Sequence, residues 1–311
     1  MLSSVAERIY WLGRYLERVE NTARLVNSYS AMLFDLPSGS HIGWSLLIDI
    51  TGCHEDYDKV YGGVVEEKQV VRFLLADGKN PASVINCASM MRENARTARE
   101  VIPAQAWEQI NELYLNLREA LTRTISRRSR QQILETVEAG CQRIFGILSG
   151  CMSHDTAYAF IQLGRKIERA DMTSRIVDVG TISMLPAFSR SSKHKLFLEP
   201  HETVVWMNVL RCVSGYQAFR QKTHSQVKGE DVVRFLLQED EFPRAIGYCL
   251  KDISWHLSKL PNNADVQQAV ARVRKVTTDV DITHLLQHGL LDFIDELQIS
   301  IADIHDEINN A

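Results

Sequence analysis

The chain has 311 residues, 45% of them apolar and 24% charged, and a net charge near −4. That composition fits a well-cored globular chain, long enough for one large helical domain or two ordinary ones. The acidic balance argues against a general nucleic-acid-binding surface, which is ordinarily basic, and no run of about 18 apolar residues offers a membrane span.

The N-terminal MLSSVAERIYW places Glu7 and Arg8 where a signal peptide needs an unbroken apolar stretch, so no export signal is expected. Six cysteines occur without a C-x-x-C pair, which reads as reduced, mostly buried thiols. A cytoplasmic protein with no cofactor, no metal, no nucleic-acid partner and no membrane partner is the expectation.

The first helix is expected over about 4–34. Ile9, Leu12, Leu16, Val19, Ala23 and Val26 form one stripe at 3.6 residues per turn, and Ser4-Val5-Ala6-Glu7 has the pattern of a capping box. Further helices are predicted at about 43–53, 65–77, 82–100, 104–126 and 129–151. The second half continues with 155–185, 201–223, 230–239, 244–259, 263–278 and 281–308. Alternating strand patterns are absent, and Pro37, Pro81, Pro103, Pro186, Pro200, Pro243 and Pro261 fall where helices should start or stop. The fold class is all-α, with about twelve helices.

One stretch of helix is written twice. LGRYLERVENTARLV, Leu12 to Val26, matches LGRKIERADMTSRIV, Leu163 to Val177, at eight of fifteen positions, where ordinary composition gives roughly one. VVRFLL also recurs, at Val70–Leu75 and Val232–Leu237, and at that same offset Trp44 meets Trp206, Pro81 meets Pro243 and Cys87 meets Cys249. The chain therefore reads as two repeats, 1–152 and 153–311, intertwined in a single pseudo-twofold domain. The drift in offset places one insertion around Met184–His201.

The repeated residues include charges that a solvated face has no reason to duplicate. Arg14, Glu17 and Arg18 share the helix face opposite the apolar stripe, and Arg165, Glu168 and Arg169 share the equivalent one. Ile161 and Met172 sit on that second face, where Tyr10 and Asn21 sit on the first, so the polar face should be covered. Glycine inside a helix costs about 1 kcal/mol relative to alanine, so Gly13 and Gly164 predict a close backbone crossing between the two helices. Glu20–Arg24 and Asp171–Arg175 read as helix pairs worth about 0.2–0.5 kcal/mol each.

Three readings of this constellation stay open. The Glu-Arg pairs lock the fold; or four arginines against two glutamates hold an anion through their planar forks; or Glu17 or Glu168 is a general base. A carboxylate flanked by arginines has a lowered pKa, which suits an ion pair better than proton transfer.

The doubled L-G-R-x-x-E-R core, Leu12-Gly13-Arg14 with Glu17-Arg18 and Leu163-Gly164-Arg165 with Glu168-Arg169, resembles the alpha-E family of bacterial all-helical proteins. The resemblance runs the whole chain. It implies a setting beside circularly permuted ATP-grasp proteins and transglutaminase-like peptidases, hence a role in making or modifying a peptide or amide-linked metabolite. The Glu-Arg positions come across as candidates only. The leading expectation is a non-catalytic or accessory protein that binds an anionic small molecule or a partner enzyme, with a circularly permuted ATP-grasp protein as the candidate, through Arg14, Glu17, Arg18, Arg165, Glu168 and Arg169. The alternative is an amide ligase or transferase component using Glu17 or Glu168.

Other motifs carry less. His284 and His288 have zinc-like i,i+4 spacing, but HLLQH lacks the glutamate and a third ligand. Gly62-Gly63 lacks the lysine and serine of a phosphate loop. The run Arg123, Arg127, Arg128, Arg130 reads as a solvated junction between helices, and Arg72 and Arg234 as the margins of buried segments.

Overall fold

The computed structural model describes residues 3–35, 43–123, 125–182, 195–224 and 226–310. Among these residues there are fifteen helices and no strand. They are α1 (Ser3–Asp35), α2 (Ser45–Thr51), α3 (His54–Tyr61), α4 (Glu67–Leu75), α5 (Val84–Thr97), α6 (Ala104–Thr122), α7 (Arg127–Cys151) and α8 (Thr156–Ile182). The rest are α9 (Lys195–Cys212), α10 (Tyr216–Thr223), α11 (Gly229–Gln238), α12 (Ile246–Leu257), α13 (Ala264–Asp279), α14 (Ile282–His288) and α15 (Leu290–Asn310). Pro37, Pro186 and most of the expected insertion around Met184–His201 lie outside the described residues.

The count exceeds twelve for local reasons. The segment 54–61 forms a helix of its own and stops at Gly62, whose φ of 61° is the left-handed cap that glycine adopts without strain. The predicted 201–223 helix breaks where Ser214 takes a φ of 52°, and the predicted 281–308 helix breaks at Gly289. Helix α9 begins before Pro200 instead of after it.

The helices start where their caps allow. Ser83 accepts from the Asn86 backbone N–H, and the Asp281 carboxylate accepts from those of Thr283 and His284. A reciprocal capping box is formed by Ser126 and Ser129. Ser4, by contrast, lies inside α1.

The chain forms two compact units. One contains Met1–Asn27, Gly52–Glu168 and Trp255–Asn263; the other contains Ser28–Thr51, Arg169–Ser254 and Ala264–Ala311. In the first, α4 packs on α5, α5 on α6 and α6 on α7; in the second, α9 packs on α10 and α11, α11 on α13 and α14, and α15 on α13 and α14. The six apolar residues expected to form the α1 stripe are fully buried. The two VVRFLL segments behave alike, each burying all residues but its arginine. No pair of cysteines is joined in a disulfide.

Candidate functional site

The site lies in the first unit, where α1 and α8 meet. A Cβ atom on Gly13 would stand 2.2 Å from the carbonyl oxygen of Ile161, and one on Gly164 would stand 2.1 Å from that of Tyr10. No real side chain fits at such distances, so the two backbones are in direct contact. The contact is reciprocal, each added carbon also lying 3.2 Å from the backbone nitrogen of the other helix's arginine, Arg165 or Arg14. The expected crossing is present.

Backbone contact carries the charged side chains into each other. The Glu168 carboxylate accepts from Arg14 Nε at 2.7 Å and from Arg18 Nε and Nη2 at 2.5 and 2.8 Å, so Arg18 grips it as a two-pronged fork. On the other side Arg165 Nε lies 3.0 Å from Glu17 and its Nη2 3.7 Å from Glu20. The Arg165 guanidinium also stacks 3.4 Å from the centre of the Phe145 ring. Glu17 is fully buried and Glu168 is 2% exposed, so these pairs sit in low-dielectric surroundings, where an unpaired charge is costly.

Tyr10, Asn21, Ile161 and Met172 are all buried, which explains why apolar residues are tolerated on the charged face. Arg14, Glu17, Arg18, Arg165 and Glu168, five of the six expected site residues, are joined by these ion pairs at the crossing. For the sixth, Arg169, which follows Glu168 on α8, Nη1 donates to the Pro243 carbonyl at 3.2 Å.

The sequence count of four arginines against two glutamates is incomplete. Arg24 bonds Glu20 and lies 3.5 Å from Glu138 on α7. The described ion pairs around the crossing thus join four arginines, Arg14, Arg18, Arg24 and Arg165, to four glutamates, Glu17, Glu20, Glu138 and Glu168. Glu138 has no signal in the repeat, because the tertiary packing of α7 brings it in. Glu20–Arg24 is also not the surface pair its spacing suggests: both residues are almost fully buried, whereas Asp171–Arg175 is about a third exposed at the arginine.

Burial alone raises the Glu168 pKa, but the charges and hydrogen bonds of Arg18 and Arg14 outweigh it and hold the value at about 2. A carboxylate so acidic does not take up a proton at neutral pH. Beside it, burial pushes the Cys87 thiol up to about 12 although Arg18 pulls it down, so no thiolate is available as a nucleophile.

The doubled Arg-x-x-Glu-Arg on two crossing helices decides the family. The chain belongs to the Alpha-E family. That family, described as a predicted alpha-helical domain with a conserved ER motif, matches residues 1–311. Proteins similar to this chain include an uncharacterized protein of Mycobacterium bovis and another of Mycobacterium tuberculosis. Each is 19% identical over 297 residues, covering 90% of this chain and 32% of the relative. The chain spans about a third of the length of these curated relatives. No solved structure matches it.

The remaining motifs sort simply. His284 and His288 stack on each other at 4.8 Å, and no group of three metal-ligating side chains occurs among the described residues. No helix among those residues is long and apolar enough to cross a membrane.

Proposed function

We propose that this Alpha-E chain is a non-catalytic, accessory helical protein whose Glu-Arg crossing is a structural lock and whose task is to hold a partner enzyme. The observation that carries the lock is the set of buried ion pairs that Arg14, Arg18 and Arg165 make with Glu168 and Glu17 across two helices in backbone contact. A carboxylate already gripped by guanidinium groups of the chain itself is held as part of the structure. The acidity of Glu168 argues against the alternative, an amide ligase or transferase component with Glu17 or Glu168 as base.

The partner we infer is a circularly permuted ATP-grasp protein of a peptide- or amide-ligating pathway, the setting that the family resemblance implies. Cysteines without disulfides suit a cytoplasmic place for it. The test mixes the chain with a circularly permuted ATP-grasp protein, ATP and amino acids. Turnover by the mixture and none by the Alpha-E chain alone supports the reading; turnover by the isolated chain overturns it. Glu168→Gln should lower the melting temperature yet, below that temperature, leave partner retention intact.

We also propose that the fold arose as a duplicated, pseudo-twofold unit. The reciprocal Gly13 and Gly164 contacts support this, as do two matching bonds: Cys87 Sγ reaches the Pro81 carbonyl at 3.8 Å, and Cys249 Sγ reaches that of Pro243 at 3.7 Å.

A second reading keeps an anionic small molecule at the Glu-Arg face. It is favoured by one observation, the 25% exposure of the Arg18 side chain, against 10% or less for Arg14 and Arg165. An anion that raises the melting temperature of the wild type, but not of Arg18→Ala, would establish it.

A further inference from the structure

The first unit holds a second arginine cluster, built from residues that the doubled motif does not include. A cavity of about 520 Å³ opens between α4, the end of α6 and the start of α7. Its walls carry five cationic side chains, Lys68, Arg72, Arg123, Arg127 and Arg130, and one carboxylate, Glu67. Five against one leaves a local surplus of four positive charges on a chain whose overall balance is −4. Glu67 inside the cavity and Glu119 beside Arg123 offset part of that charge.

Glu67 shows what the cavity grips. Arg127 holds its two oxygens as a fork, Nε to Oε1 at 3.1 Å and Nη2 to Oε2 at 2.6 Å, and Arg130 Nη1 reaches Oε1 at 3.0 Å. Arg130 is 5% exposed, so it forms a fixed, buried floor. The hydrogen bond from Arg127 leads the causes that keep the Glu67 carboxyl below its ordinary pKa. An oxyanion therefore already sits across two guanidinium groups, supplied by the chain itself.

The outer cations are less committed. Arg123 bonds Glu119 at 2.8 Å, but both side chains are more than two-thirds exposed, and such a pair is weak and easily exchanged. Among the described residues neither Lys68 nor Arg72 forms an ion pair, and both are exposed. The walls contain Val71 and Ile125 but no aromatic ring, so there is no platform on which a nucleobase would stack. The volume falls within the range of small-molecule sites, and clustered arginine forks suit phosphate oxygens.

We propose that this cleft binds a compact, linear phosphate polyanion, a di- or triphosphate group, with Arg127 and Arg130 at its inner end and Lys68, Arg72 and Arg123 at its outer end. Glu67 is an internal competitor that the ligand displaces or shares. The site is separate from the Glu-Arg crossing and does not depend on that crossing being a lock.

Calorimetric titration of the full chain with tripolyphosphate, in about 50 mM salt to limit screening, tests the assignment. Binding should weaken roughly tenfold or more in Arg72→Ala/Arg123→Ala, the loss expected for charge-assisted contacts. It should be unchanged in Arg96→Ala, whose arginine pairs with Glu93 away from the cleft. Glu67→Gln, checked by circular dichroism for an intact fold, should bind more tightly, because a competing charge is gone. The proposal is overturned by no binding at millimolar tripolyphosphate, by equal binding in wild type and the double variant, or by tighter binding of citrate or of a single-stranded oligonucleotide.

Discussion

The Glu-Arg crossing and the α4–α7 cleft use the same chemistry, arginine forks on glutamate, within one unit, and they differ in what surrounds it. At the crossing the described ion pairs join four arginines to four glutamates, and Glu17 and Glu168 are almost entirely out of solvent. In the cleft two of five cations, Arg127 and Arg130, hold the one carboxylate of the lining, Glu67, which remains 25% exposed. The difference teaches that a repeated charged motif is not thereby a binding site. Charge that is matched and sealed specifies structure, and charge left in surplus at a cavity is available to a ligand.

The comparison breaks most visibly at the glycines. Gly13→Ala or Gly164→Ala should cost about 3 kcal/mol or more, since the new methyl meets a backbone carbonyl and not a side chain that can swing away. Gly146→Ala, in α7 with open space around it, should instead gain up to about 1 kcal/mol from helix propensity. Chemical denaturation of the three variants checks both signs.

Glu168→Gln comes next, at about 3 kcal/mol, because Arg14 and Arg18 lose their shared carboxylate. It should also change the acid limb. With a folded pKa of about 2, below its ordinary value, Glu168 contributes stability that is full above about pH 4.5 and is lost as pH falls toward 2. The variant's unfolding free energy should fall less steeply over that window.

Ten residues on, the same helix carries the opposite case. Burial, then the nearby Asp295, raise Asp178 to about 6, with Arg175 opposing them. A carboxyl whose folded pKa lies above its ordinary value holds its proton better when folded, so its contribution declines as pH rises from about 4 through about 6. Asp178→Asn should remove that decline and raise the melting temperature at pH 7 relative to wild type.

The smallest stability effect belongs to the cleft. Arg72→Ala/Arg123→Ala should leave the melting temperature within about 2 °C of wild type, as exposed substitutions usually do. A large drop would mean that the cleft, too, is part of the scaffold.

Much of the crossing was legible in the chain. Glycine at equivalent helical positions, apolar Ile161 and Met172 on a charged face, and the α1 stripe each demanded a neighbour, and each has one. The counter-charges were not legible, because nothing in the period of α1 or α8 encodes Glu138 on α7. The buried state of Glu20–Arg24 was hidden for a similar reason: i,i+4 spacing is the same at the surface and in the core. The breaks at Ser214 and Gly289 are backbone conformations that apolar periodicity does not register. The arginines of the cleft looked like a solvated run because their convergence on Glu67 spans 60 residues or more of sequence.

The most direct test of the lock is a double-mutant cycle between Arg18 and Glu168, read by urea unfolding of wild type, Arg18→Ala, Glu168→Gln and the pair. A lock predicts that the double variant is scarcely less stable than the worse single one, with a coupling of about 1–3 kcal/mol. Single costs that simply add, to within about 0.5 kcal/mol, would contradict it and reopen the Glu-Arg face as a site for something other than the chain itself.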